Sequence, residues 1–278
     1  MTRRKFFFSL PLVGASPVYA FGIEPNWLEQ SHIRVKLPQR NLSGVIRILH
    51  LSDFHASSVV PFSLIEKAID DGLAMRPDLI CLTGDFVTNA DPFDEAEYSR
   101  LLGRLSLAAP TFACLGNHDG GVWAGKLGGF RDTCVVRELL EASRICLLDN
   151  ASELVRVQGQ SIRLVGVGDL WSGELNGARA FADVRAGEPT IVLAHNPDTK
   201  DVLGGHPWDL MLSGHTHGGQ VVVPLVGARF VPIQDKRFIA GLKEWNGRKV
   251  YVSRGIGSIG GFRVNCRPEV TLLHVSGA

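Results

Sequence analysis

Hydrophobic and polar positions follow two rhythms along the first half of the chain. Val45-Ile46-Arg47-Ile48-Leu49-His50-Leu51 is a short apolar run with β-branched residues, stopped by Ser52-Asp53, which is the pattern of a buried strand. After Pro61 the apolar positions Leu64, Ile65, Ala68, Ile69 and Leu73 recur at helical spacing, and Pro77 ends the segment. A second strand over 78–83 runs into Gly84-Asp85, a second helix is expected from about Asp94 to Leu107, and a third strand over 111–115 runs into Gly116-Asn117-His118-Asp119. Strand-then-polar-cluster units separated by helix-length connections predict βαβ crossovers and a sheet buried on both faces. The clusters fall at the carboxyl ends of the strands, where open α/β sheets place their sites.

The second half changes character. Residues 153–157 and 161–167, joined across Gln158-Gly159-Gln160, read as a hairpin, and 190–194, 210–212, 220–223, 249–253 and 269–275 read as further short strands. No internal repeat is visible. The simplest α/β arrangement is one domain over 45–278 built from two facing sheets with helices outside, preceded by a linker or edge segment over 21–44.

The beginning of the chain is unlike the rest. Arg3, Arg4 and Lys5 precede a stretch from Phe6 to Ile23 that has no formal charge, and Val18-Tyr19-Ala20 suits a small-residue cleavage site. Residues 1–20 resemble a twin-arginine export signal, either cleaved or kept as a membrane anchor, with an ordinary basic N-terminus as the other reading. That resemblance implies the twin-arginine translocation machinery as a partner and a location in the periplasm or on the outer face of the inner membrane. The alternative is a cytoplasmic, membrane-associated protein.

Charge narrows the partners. The 278 residues carry 29 Lys plus Arg against 28 Asp plus Glu, a formal net charge of +1, so no nucleic acid is expected to be held by bulk charge. Without residues 1–20 the balance is 26 to 28, a net of −2. The five cysteines, Cys81, Cys114, Cys134, Cys146 and Cys266, are widely spaced and form no C-x-x-C pair, which speaks against a disulfide framework or a thiolate zinc site.

The candidate chemistry lies in a set of short motifs, each directly after an expected strand: Asp53-Phe54-His55, Gly84-Asp85, Gly116-Asn117-His118-Asp119, His195 and Gly214-His215-Thr216-His217. Singly they are weak, since D-x-H arises by chance about 0.5 times in such a chain, but Gly-Asn-His-Asp arises only about 0.002 times. Carboxylate, amide and imidazole donors together suit Mn²⁺, Fe²⁺ or Zn²⁺. In an extended D-x-H the i and i+2 side chains point the same way and can grip one ion. The donors exceed the needs of one metal, whereas two metals sharing a carboxylate use them all, and a pair roughly 3.5–4 Å apart clamps an in-line displacement at phosphorus.

In that order, the motifs resemble the calcineurin-like metallophosphoesterase superfamily, with a similarity running from about residue 45 to the C-terminus. The resemblance implies a two-sheet β-sandwich flanked by helices, four layers in all. It implies one metal held by Asp53, His55 and His217, a second by Asn117, His195 and His215, and Asp85 bridging them. The ions would be Mn²⁺ first, with Fe²⁺, Zn²⁺ or Mg²⁺ as alternatives. A metal-bridging hydroxide would be the nucleophile, and His118 would protonate the leaving oxygen or stabilise the phosphoryl charge, with Asp119 orienting it. His195-Asn196-Pro197-Asp198, the run Trp208 to Gln220, and the tail Ser253-Arg254-Gly255-Ile256-Gly257 with Asn265-Cys266-Arg267-Pro268-Glu269 are similar to the bacterial YaeI and YkuE group of phosphodiesterases. Its wider relatives include a chlamydial hydrolase that cleaves UDP-2,3-diacylglucosamine at the pyrophosphate in lipid A synthesis. A diester or pyrophosphate substrate, small or lipid-linked, and peripheral membrane association are implied. The alternatives are a phosphomonoesterase on the same scaffold and a metal-bound protein-interaction module.

Lesser features have two readings each. Gly120 to Phe130, with Trp123 and Lys126, is either a flap over the substrate or a surface loop whose Trp packs locally, and Trp171 invites the same pair. Among Arg254, Arg263 and Arg267 one could grip a phosphate, while salt bridging is the simpler role for any of them. His32, His50, His206 and His274 lack motif context and read as structural or solvated.

Overall fold

The structure, a computed structural model, describes residues 17–37, 42–90 and 93–277. The Arg3-Arg4 pair and most of the uncharged stretch lie outside them. The first half runs β1 (Glu29–Leu37), β2 (Ile46–Leu51), α1 (Phe62–Ala74), β3 (Leu79–Thr83), α2 (Glu95–Ala108), β4 (Thr111–Cys114), α3 (Gly121–Lys126), α4 (Cys134–Ala142) and β5 (Cys146–Leu147). The second half runs β6 (Ala151–Val157), β7 (Gln160–Gly166), α5 (Gly177–Ala180), β8 (Thr190–Leu193), α6 (Thr199–Val202), β9 (Leu210–Ser213), β10 (Gly241–Trp245), β11 (Arg248–Val252) and β12 (Glu269–Gly277).

Local sequence accounts for the helices. Pro61, in extended conformation, precedes the first turn of α1, whose Leu64, Ile65, Ala68 and Ile69 form its buried stripe. Asp94 caps α2 by accepting from the Glu97 amide, and Glu95 and Glu97 complement the helix dipole in the first turn.

The strands form two mixed sheets of six, ordered β1-β12-β2-β3-β4-β5 and β10-β11-β9-β8-β7-β6. Within them β2, β3 and β4 are mutually parallel, as are β7, β8, β9 and β11, while β6 and β10 pair antiparallel at the far edges. Alternation along each strand divides the core into three apolar layers. Ile46, Ile48, Leu79 and Cys81 face Leu164, Ile191, Leu193 and Leu212 between the sheets. On the opposite face of the first sheet, Leu49, Leu51, Ile80 and Leu82 pack on α1, α2 and α4. Val192, Met211 and Val250 pack outward on Phe181, Leu203 and Phe238.

Within 21–44, read as a linker or edge segment, Glu29–Leu37 forms an edge strand paired in parallel with β12 over nine residues. The structure departs from the sequence reading at 220–223. Residues 220–223 form no strand: Val221 makes one isolated bridge to Val264, and Val223 turns back on Gly227. β5, β10 and α4 had no clear signal, because they are short or lie in mixed polar segments. Among the described residues no helix is long and apolar enough to cross a membrane.

Candidate metal centre

Every motif residue sits just beyond the carboxyl end of a strand, where the backbone turns sharply. Asp53, His55, Asp85, His215 and His217 all have positive φ, at 53°, 49°, 55°, 70° and 50°. This left-handed conformation costs a non-glycine residue roughly 1–2 kcal/mol, least for Asp, Asn and His. The pleated geometry expected for Asp53 and His55 is therefore corrected: β2 stops at Leu51, and the two side chains converge because both residues are left-handed. Two motif glycines have a steric reason as well. A Cβ on Gly116 would lie 2.2 Å from Asp85 Oδ1, and one on Gly214 would lie 2.2 Å from Asp53 Oδ2.

The side chains meet in two groups whose ligand atoms lie within 4.8 Å of one another, Asp53 with His55 and His217, and Asp53 with Asp85 and His195. Asp85 Oδ2 reaches one nitrogen from each side, 3.4 Å from His55 Nε2 and 3.0 Å from His195 Nε2. His215 Nδ1 is 3.2 Å from His195 Nε2, and His55 Nε2 is 3.1 Å from His217 Nε2. The outer ring atoms fix which nitrogen faces inward. His195 Nδ1 donates to the Thr83 carbonyl at 2.7 Å, and His215 Nε2 donates to the Pro232 carbonyl at 3.1 Å. His55 Nδ1 meets the Thr88 hydroxyl at 3.2 Å. For these three rings the outer hydrogen bonds turn the other nitrogen toward the carboxylates, which is the donor arrangement of a metal centre, while His217 Nδ1 meets no partner among the described residues.

The electrostatics agree with cation binding. Burial pushes His55 and His215 down to about 3 and His217 well below its ordinary range, so these rings are neutral ligands at neutral pH. Burial raises Asp53 to about 6, with His195 pulling down and Asp85 pushing up. Burial disfavours charge on His195, but the Asp85 carboxylate overrides it and raises the ring to about 10, so in the metal-free protein a proton on Nε2 stands where a cation would have to displace it. Asp53 Oδ2 and Asn117 Oδ1 are buried acceptors without a partner among the described residues. Buried acceptors of this kind are costly unless a cation or donor meets them, and a hard-to-borderline divalent ion fits the set.

His118 stands at the mouth, its Nδ1 donating to the Thr88 carbonyl at 2.7 Å and its backbone N–H to Asp85 Oδ1 at 2.9 Å. Asp119 does not supply the orienting contact expected of it. Its carboxylate is fully buried and accepts from the amides of Gly116, Asp85 and Phe86 at 2.7, 2.8 and 2.6 Å, clamping the loop after β3 to the loop after β4. Thr88 orients His118 instead, through a backbone carbonyl that any residue could offer.

Trp123 and Trp171 follow the packing reading, and what they pack on is the site. Trp123 packs on His118 at 4.8 Å, Trp171 on His215 at 4.4 Å, and the indoles meet at 5.4 Å, so the packing is against the site itself. They wall a cleft of about 500 Å³ that has Asp85, Asn117 and His118 at its floor and Val221, Phe230 and Phe262 among its sides.

The arginines divide. Arg254 pairs with Glu269 and Glu29, and Arg267 pairs with Glu29. Arg263 is fully buried, and its guanidinium donates to the carbonyls of Cys266, Arg254, Gly255 and Gly257, with His217 O at 3.5 Å. The segment it holds donates in turn from Ile256 N to Ser52 O and from Gly257 N to Asp53 O. One buried cation thus braces the backbone under Asp53 and His217. Sequence reasoning missed this role, and Thr88, because main-chain acceptors leave no signature. Away from the site, His32 stacks on His274 and His206 on Phe181.

Residues 46–219 match the family model described as calcineurin-like phosphoesterase. The chain is 43% identical over 257 residues to the phosphodiesterase YaeI of Escherichia coli (strain K12), covering 92% of each protein. It is 28% identical to the UDP-2,3-diacylglucosamine pyrophosphatase LpxG of Chlamydia trachomatis, covering 96% of each, and 27% identical to the metallophosphoesterase YkuE of Bacillus subtilis, covering 91% of this chain and 87% of that one. In fold it is similar to the NAD nucleotidase of Haemophilus influenzae, with a TM-score of 0.50 and 17% identity over 77% of this chain and 45% of that one.

Proposed function

The chain belongs to the calcineurin-like phosphoesterase family, and from that premise we propose that it is a phosphodiesterase or pyrophosphohydrolase working with two divalent ions. The observation that carries the two-ion reading is Asp85 Oδ2, which lies within 3.4 Å of a nitrogen from each side of the cluster. Asp53, His55 and His217 would hold one ion and Asn117, His195 and His215 the other, with Asp85 shared. Mn²⁺ is the first choice, and Fe²⁺, Zn²⁺ or Mg²⁺ also suit these donors. Such ions lower the pKa of water and neutralise charge on phosphoryl oxygens.

The chain's own groups do the rest. His118 has its Nδ1–H committed to the Thr88 carbonyl, so the ring's imidazolium form would present Nε2–H, which can pass its proton to a leaving oxygen or stabilise phosphoryl charge. Asp119 holds the loops that carry Asp85 and His118 in register. The Trp123–Trp171 wall excludes water from one side of the cleft and offers apolar surface to the non-reacting part of a substrate.

A lipid-linked diester is the substrate class that this lining favours, and the name of the chlamydial relative points the same way. The resemblance of residues 1–20 to a twin-arginine signal supports delivery by that machinery to the outer face of the inner membrane. A UDP-lipid made in the cytoplasm is then out of reach, and a finished envelope lipid or polymer takes its place.

Purified protein loaded in turn with each of the four ions should hydrolyse bis-p-nitrophenyl phosphate and should lose that activity to a chelator. Faster turnover of p-nitrophenyl phosphate would promote the monoesterase reading. Inactivity with every ion would leave the metal-bound interaction module.

A further inference from the structure

The ten residues from Val221 to Phe230 carry a single charge, Arg229, yet none of them is buried. Val223 turns back on Gly227 through hydrogen bonds from Val226, Gly227 and Val223, and Leu225 sits at the tip. Its φ is +67°, a strained value for a bulky side chain, and the side chain is fully exposed, so no packing among the described residues offsets the strain. Phe230 is 95% exposed at the base of the same loop.

This loop is knitted to two neighbours. Val222 N donates to Val264 O, Gln220 exchanges hydrogen bonds with Ile259, and Arg263 N donates to Ala20 O. Phe21 packs on Phe262 at 5.4 Å, and Phe21 and Ile259 are both exposed. The three segments, 17–23, 217–234 and 255–263, contain no acidic residue. Val221, Val223 and Phe230 also line the cleft, so the apolar rim and the metal centre share one opening.

We infer that this rim docks on a phospholipid bilayer, with the 224–226 tip inserted among the acyl chains and the cleft facing the headgroup phosphates. A protruding tip that exposes large apolar side chains suits a fluid apolar phase better than a shaped protein partner. The absence of acids and the presence of Arg229 suit an anionic surface. The uncharged run from Phe6 ends at Ile23, on this same rim, with Arg3, Arg4 and Lys5 before it. Docking extends the phosphodiesterase reading by stating where the substrate is met, and it rests on that reading only for what happens in the cleft.

The test is flotation of the full chain with vesicles of phosphatidylethanolamine and phosphatidylglycerol, run beside turnover of bis-p-nitrophenyl phosphate. Wild-type protein should float, and the Leu225→Asp/Val226→Asp variant should lose about a hundredfold in partitioning while soluble turnover is unchanged, since neither residue lines the cleft. A variant that floats as well as wild type overturns the proposal and assigns attachment elsewhere. So does a wild-type protein that ignores vesicles and instead forms a dimer that the variant dissociates. Flotation without any diester hydrolysis would sink the enzymatic reading and leave docking standing.

Discussion

At the carboxyl ends of β2, β3, β4, β8 and β9 the chain buries carboxylates and imidazoles, whereas in the loop after His217 it exposes Leu225 and Phe230. Ordinary folding does the reverse. Burying an unpaired polar group costs roughly 1–3 kcal/mol, and a large apolar side chain left in water forgoes roughly 1.5–3 kcal/mol. Neither region balances this among the described residues, where Asp53 Oδ2 and Asn117 Oδ1 meet no partner and nothing covers the Leu225 tip. The two inversions have opposite sign and flank one cleft, and under the proposals above each is completed by something from outside, a divalent cation in one case and an apolar phase in the other.

The sharpest way to break this picture is at the polar end. His118→Ala should keep the bound metal yet lose on the order of 100- to 1000-fold in kcat on a diester. Metal analysis beside kinetics decides, since coincident loss of metal would make His118 a ligand or a scaffold residue.

Buried polarity away from the centre gives the next effect. His50 is fully buried between the sheets, bonded to the Thr83 hydroxyl at 2.8 Å, and burial pushes it down to about 4 against the pull of Glu269. The unfolded chain takes up its proton near pH 6.5 and the folded chain only near 4, so stability is full above 6.5 and falls as pH drops through that window. The loss amounts to about 3 kcal/mol at most. Urea unfolding of wild type and His50→Gln from pH 7.5 to 4 should show a steeper decline in wild type; parallel curves would remove His50 as the cause.

A smaller effect sharpens the boundary between the regions, where Arg263 stands. Arg263→Met removes donors from a set of buried carbonyls and should cost about 2 kcal/mol in stability. It should also weaken metal binding, because the braced segment holds Ser52 O and Asp53 O. Calorimetric titration of Mn²⁺ into the variant checks this, and unaltered affinity would reduce Arg263 to a folding role. The Leu225→Asp/Val226→Asp pair marks the low end, with stability expected within about 0.5 kcal/mol of wild type.

Much of this was legible in the chain. Runs such as Ile46–Leu51 and Leu79–Thr83 announce strands buried on both faces, and the polar motif after each announces a site at one sheet edge, because strand direction and crossover handedness leave few other arrangements. What stayed hidden has one physical character: it depends on the main chain or on what lies opposite. Thr88 and Pro232 orient His118 and His215 through carbonyl oxygens common to every residue. The left-handed turns at Asp53 and His55 replace a pleat that the D-x-H spacing suggests equally well.

The sequence by itself determined the α/β class, the family and the polar residues at the strand ends, since hydrophobic period and residue chemistry are local properties. Tertiary structure alone decided the rest. Val221 to Val226 has the composition of a buried strand, and Arg263 that of a surface cation, yet the first lies open beside the cleft and the second sits fully buried under the metal centre. Burial is set by whatever packs above a residue, and that neighbour comes from a distant part of the chain.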